Sequence, residues 1–221
     1  MKNTSYIYWL LLLIPVSFIG LYFFNKSQDA PLRTLPYLGP KQYQEKIDTT
    51  YHVVKPFSFM NQYHETVTEQ TLANKIYVTD FFFTTCQTIC PIMSNQLERV
   101  YKAFADNPDV MILSHTVAPE EDSVEVLMQY AHKYGVKDKK WLFLTGDKKQ
   151  LYDMARKSYL LNVEDGNGDA DDFIHTQNFV LVDKEKHLRG LYDGTDSTEI
   201  SRLIVDINLL LKEYAYKEKH P

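Results

Sequence analysis

The stretch Lys75-Ile-Tyr-Val-Thr-Asp-Phe-Phe-Phe83 constrains this chain more than any other feature. It is rich in β-branched and aromatic residues and shows no polar/apolar alternation, so it reads as a buried strand. The pattern then changes period. From Pro91 to Asn107 the apolar residues Ile92, Met93, Leu97, Val100, Tyr101 and Phe104 recur at helical spacing. Pro91 is acceptable in the first turn of such a helix.

The same alternation continues. Val110 to Val117 predicts a second strand, and Ser123 to Tyr134 a second helix behind the acidic Glu120, Glu121 and Asp122. Trp141 to Thr145 predicts a strand and Lys148 to Tyr159 a helix. Asn178 to Val182 and Leu188 to Tyr192 predict a hairpin through Asp-Lys-Glu-Lys-His. Ser197 is expected to cap a last, long helix with Ile200, Leu203, Ile204, Ile207, Leu210 and Leu211 along one face. Strands alternating with helices mean an α/β sheet covered on both faces. The expected arrangement is thioredoxin-like, with an inserted strand and helix.

The amino-terminal region is different in kind. No charge occurs from Tyr6 to Phe24, and nineteen helical residues span roughly 28 Å, the thickness of a bilayer's hydrocarbon core. Tyr6, Tyr8, Trp9 and Tyr22 suit the interfacial belts. No small-x-small cleavage site follows, which favours a retained single-pass transmembrane helix over a signal peptide. The expected organisation is a tail over 1–5, the anchor over 6–24, a Pro-containing tether over 25–50, the folded domain over 51–216 and a tail over 217–221. A formal net charge of -5 and no basic stripe give nucleic-acid binding no electrostatic support.

Only two cysteines occur, Cys86 and Cys90, where the first strand gives way to the first helix. Side chains at i and i+4 share a helical face, close enough for a common ligand or a Cys86–Cys90 disulfide. So short a loop removes little chain entropy, which makes the bridge a poor staple. Unpaired amides at a helix N-terminus favour thiolate, the form that attacks and the form that binds metal. Soft thiolates suit Cu(I) or Zn. Two thiolates leave copper under-coordinated, and of seven histidines His175, just ahead of a strand, is the best placed to be a third ligand.

Phe-Phe-Phe-Thr-Thr-Cys86-Gln-Thr-Ile-Cys90-Pro91, Val117-Ala-Pro-Glu-Glu-Asp122, and Phe-Ile-His175 followed by Phe-Val-Leu-Val-Asp183 resemble the Sco/SenC family over about Tyr51 to Tyr214. The resemblance implies a thioredoxin-like domain binding one copper through Cys86, Cys90 and His175. It also implies a role in assembling the copper centre of cytochrome c oxidase, as metallochaperone, thiol reductase or both. The partner would be the copper-bearing oxidase subunit or another copper or thiol protein, met on the exported (periplasmic or extracytoplasmic) face of the cell membrane. The chain departs from the family's usual Cys-Pro-Asp-x-Cys-Pro at Gln87 and Thr88, and Ala118 stands where an acidic residue is common. Those carboxylates would tune the metal site.

Other readings have less behind them. A thiol–disulfide oxidoreductase is the enzymatic alternative, against which C-x-x-x-C spacing counts. A peroxidase would need an arginine beside Cys86, and Arg99 is the only one in the following helix. The acidic run with Asp165, Asn167, Asp169 and Asp171 superficially resembles a calcium loop, but Ala170 and Thr176 break its pattern. His115, late on the second strand, reads as a structural histidine.

Overall fold

The computed structural model describes residues 17–19, 33–40, 42–43, 49–161, 174 and 176–220. The chain divides into two units, Met1–Thr34 and Leu35–Pro221. In the first, only 17–19 and 33–34 are described, so the expected anchor lies almost wholly outside the described residues. Among the described residues no helix is long and apolar enough to cross a membrane.

The second unit is built on a mixed sheet. A two-residue ladder, β1 (Gln42–Tyr43) with β2 (Thr49–Thr50), stands apart from it. The sheet comprises β3 (Ser58–Asn61), β4 (Thr66–Thr68), β5 (Ile76–Phe82), β6 (Val110–Thr116), β7 (Trp141–Thr145), β8 (Asn178–Val182) and β9 (Leu188–Asp193), in the order β4-β3-β7-β6-β5-β8-β9. β5, β6 and β7 run parallel, and β8 and β3 flank them antiparallel. The helices are α1 (Ile89–Ala103), α2 (Val124–Lys133), α3 (Lys148–Asp153) and α4 (Ser197–Lys219).

The central strand explains the unbroken apolar run. Every residue of β5 is buried. Ile76, Val78 and Phe82 face a core shared with α1, α2 and α4, while Tyr77 and Phe81 face a second core formed with α3 and the N-terminal loops. With both faces covered, no position of the strand has solvent to meet, so alternation disappears. β6 is likewise buried throughout.

Four sequence expectations shift. The hairpin β3–β4 was not foreseen, and its tight turn depends on His64 at φ 58°. The predicted helix 148–159 is α3 followed by a π-turn over Met154–Ser158. The last helix is capped by Asp196, whose carboxylate accepts the Thr198 amide at 2.7 Å, and Ser197 is its first residue. The folded body also starts earlier than residue 51. Leu35 is buried in the core, and the Leu38 amide donates to the Leu188 carbonyl at 2.8 Å.

A buried cation fastens that early segment. Arg189 is held between Asp183 (2.8 Å) and Glu213 (3.0 Å), and two further donors reach the Leu35 and Pro36 carbonyls at 2.8 and 3.3 Å. The ring of Tyr37 lies 4.3 Å from the guanidinium. A guanidinium this deep needs hydrogen-bond partners in place of water, and here the chain's own carbonyls add two to the two carboxylates.

Candidate metal and thiol site

β5 ends at Phe82, and the chain turns through Thr84 and Thr85 before α1 begins at Ile89. Cys86 therefore lies in the turn, and Cys90 is the second residue of the helix. The expectation of both cysteines on one helical turn is corrected in this respect. The physical reason lies in the helix end. Thr88 occupies the N-cap position without a side-chain cap, and no acidic residue falls in the first turn. The orphan amide of Cys90 donates instead to the Cys86 sulfur at 3.5 Å. Cys86 thus stands in for the oxygen that would ordinarily cap the helix.

This geometry makes the two thiols unequal. Partial burial pulls the Cys86 thiol upward, but hydrogen bonds from the Cys90 thiol, the Cys90 and Thr88 amides and the Thr88 hydroxyl outweigh it, lowering its pKa to about 7. The Thr88 hydroxyl lies 3.7 Å from the sulfur. Burial pushes Cys90 the other way, reinforced by its hydrogen bond with Cys86, to about 12. Both are free thiols in this structure. Cys86 is partly accessible and close to thiolate at neutral pH, whereas Cys90 is buried and neutral.

His175 lies outside the described residues, as do Asp165, Asn167, Asp169 and Asp171 of the acidic run. The residues around His175 bear on its candidacy. Ile174 is buried in the second core. The register Thr79↔Val180 carries the start of β8, Asn178, to the C-terminal end of β5, the end from which the cysteine turn leaves. Among the described residues the one group within metal-binding reach of each other is Asp183, Glu185 and His187. Asp183 there is already committed to Arg189 and to the Glu185 and His187 amides.

The other candidates resolve as structural. His115 is fully buried on the face away from α1, its Nδ1 3.0 Å from the Thr79 hydroxyl and its ring stacked on Phe81. Burial lowers its pKa to about 3. Arg99 spends its donors on Gln96, on the Ser197 carbonyl and on Ser201, which ties α1 to α4 and leaves the peroxidase reading without support.

Two buried carboxylates near the cysteine turn escaped the sequence reading. Asp80, on β5, is fully buried with one oxygen lacking a partner, and burial raises its pKa to about 7. Asp122, just before α2, accepts hydrogen bonds from the hydroxyls of Thr84 and Thr116 and from the Thr84 amide. Asp122 belongs to a motif that was singled out, but its partner lies 38 residues away, beyond the reach of local pattern.

Comparison with known proteins matches this architecture. The SCO1/SenC family model matches residues 45–211. The SCO1 protein homolog of Bacillus subtilis (strain 168) is 33% identical over 166 residues, covering 74% of this chain and 86% of that protein. The structure of BsSco is described as that of a Sco-family cytochrome c oxidase assembly protein with a disulfide switch. It gives a TM-score of 0.62 at 32% identity, covering 72% of this chain and 93% of that one. Arabidopsis thaliana ScoI with copper bound gives 0.57 at 24% identity, covering 71% and 98%, a likeness of fold. The thioredoxin-like α/β expectation agrees with these structures. On the family model's extent and the Bacillus subtilis relative together, the chain belongs to the SCO1/SenC family.

Proposed function

We propose that this protein is a membrane-anchored copper carrier that serves assembly of the copper centre of cytochrome c oxidase, with Cys86, Cys90 and His175 as the ligands of its cargo. The observation that carries the reading is the cysteine pair itself, with the Cys86 sulfur accepting the Cys90 amide at the mouth of α1. The donor set fits the ion. Soft thiolates select Cu(I), and Cys86 is already near its thiolate form at neutral pH. Cys90 holds its proton until a cation displaces it, so loading releases protons. His175 is supported by its place just ahead of β8, whose first residue sits at the sheet end that the cysteine turn leaves. Copper-bound Arabidopsis thaliana ScoI and the oxidase-assembly description of BsSco support the cargo and the pathway.

The uncharged segment Tyr6–Phe24 supports anchoring in the cell membrane, with the folded domain on the exported side. Partner recognition would then occur at the membrane surface, where the copper-bearing oxidase subunit lies. Alkaline carbonate extraction tests the anchor: the full chain stays in the membrane pellet, and a chain lacking residues 1–24 is released.

A second reading, thiol–disulfide exchange on partner cysteines, is favoured by the inequality of the thiols. An accessible nucleophile, Cys86, beside a buried resolving thiol, Cys90, is the pairing that exchange requires. Its oxidised product would be a Cys86–Cys90 disulfide, formed as a partner disulfide takes up the two electrons and two protons. Anaerobic titration of the reduced protein with Cu(I), against a chromophoric chelator, separates the readings. The carrier reading expects one tightly held equivalent per chain, and no retention against the chelator overturns it.

A further inference from the structure

We infer that Asp122 is a positioning residue for the cysteine pair: its buried carboxylate clamps the turn that delivers Cys86 to the α1 N-terminus. The inference rests on the reading of Cys86 and Cys90 as the working site and adds the group that holds it in register.

The geometry is specific. Asp122 is fully buried, and among the described residues no cationic side chain pairs with it. A carboxylate removed from water must be satisfied by hydrogen bonds or its burial is heavily unfavourable. The donors come from two separate segments. The Thr116 hydroxyl, at the end of β6, bonds one oxygen and the Thr84 hydroxyl bonds the other. The Thr84 amide sits 3.3 Å from both. Asp122 is itself fixed, since its own amide donates to the Ala118 carbonyl at 2.9 Å, and the Thr116 hydroxyl accepts the Ala118 amide at 3.0 Å. The carboxylate therefore bridges two loops at the C-terminal ends of neighbouring parallel strands, where β5 and β6 run side by side as far as Phe82↔Thr116.

Thr84 is two residues from Cys86, and the intervening turn is closed by the Cys86 amide on the Phe83 carbonyl at 3.3 Å. Rotating this turn would strip the carboxylate of two of its three donors, so the burial of one charge fixes the direction of the next side chain but one. That direction brings the Cys86 sulfur over the Cys90 amide. Without the clamp the turn keeps the Cys86 amide on the Phe83 carbonyl and the Cys90 amide on the Cys86 sulfur but loses its tie to the end of β6, and the two sulfurs lose their common orientation.

The test uses the full chain with Asp122→Asn, which keeps shape but turns one acceptor into a donor facing Thr84. Two readouts are compared with Tyr192→Phe, a buried variant on β9 that deletes the bond to Asp206. The clamp predicts a 10- to 100-fold loss of Cu(I) affinity in Asp122→Asn, the size typical of groups that orient metal ligands. It also predicts slower iodoacetamide labelling of Cys86 in the metal-free protein at pH 7. Tyr192→Phe changes neither. If Asp122→Asn does not fold, Thr84→Val removes one donor, shows the same two losses in milder form, and Thr84→Ser restores both. Wild-type affinity and labelling in Asp122→Asn, or in Thr84→Val where Asp122→Asn does not fold, overturn the clamp. A wild-type protein that holds no Cu(I) overturns the copper reading alone, because the labelling rates still decide the clamp.

Discussion

Selective alkylation tests the inequality of Cys86 and Cys90 quantitatively. With thiol pKa values of about 7 and about 12, half of Cys86 is thiolate at pH 7. Only about one Cys90 in 100,000 is, since each pKa unit is a factor of ten. A more basic thiolate is intrinsically more nucleophilic, and a Brønsted slope of about 0.4–0.5 over that interval returns roughly two orders of magnitude to Cys90. The net preference is on the order of several hundredfold for Cys86, before burial of Cys90 is counted. A brief iodoacetamide pulse on the reduced, metal-free protein, followed by fragmentation mapping of the 76–99 tryptic peptide, measures it. Labelling should fall on Cys86, with a rate that rises through a midpoint near pH 7. Equal labelling of the two, or a midpoint at or above the ordinary thiol value of about 8.5, would refute the helix-cap account of the site.

Stability should respond to two buried groups in opposite senses. Asp80 is raised from 3.8 to about 7, so its contribution is fully present below pH 4 and is lost as pH rises through 7. His115 is lowered from 6.5 to about 3, so its contribution is present above pH 6.5 and is lost on acidification toward 3. Asp80→Asn should therefore gain on the wild type between pH 4 and pH 8, by up to about 4 kcal/mol, in urea denaturation at several pH values. A difference that stays flat over that range contradicts the assignment. Arg189→Met should cost about 3–5 kcal/mol, because it leaves Asp183 and Glu213 buried without their cation. The lower end is expected, since Glu213 keeps Lys217 at 2.8 Å and Asp183 keeps two amides. A loss below 1 kcal/mol would mean the cluster does not hold the 35–38 segment.

The parts of this protein legible in its sequence are those whose physics is local. Ile76–Phe82 announces a doubly buried strand through composition alone, and Trp141–Thr145 coincides with its observed strand end to end. Helix ends were harder. Asp196 and Ser197 are both good caps, and only geometry shows that the aspartate does the capping. The β3–β4 hairpin hid because its turn uses Asn61 to Glu65 without glycine, relying on a left-handed His64. Leu35 looked like tether because its partners, Arg189 and the α4 face, lie more than 150 residues on. The cysteines were found readily, but that Cys86 precedes the helix and caps it follows from Thr88 declining to cap, a fact of backbone geometry. Asp122 stood in a recognised motif while its meaning depended on Thr84 and Thr116, which only the parallel pairing of β5 and β6 brings beside it.

The central claim is a three-ligand site, and it is tested most directly by Cu(I) affinity in the parent beside Cys86→Ala, Cys90→Ala and His175→Ala. The account predicts one Cu(I) per chain in the parent and a steep loss of affinity, at least tenfold, in each variant. A His175→Ala protein that holds Cu(I) as tightly as the parent would contradict it, leaving the cysteine pair as a two-thiol site serving disulfide exchange.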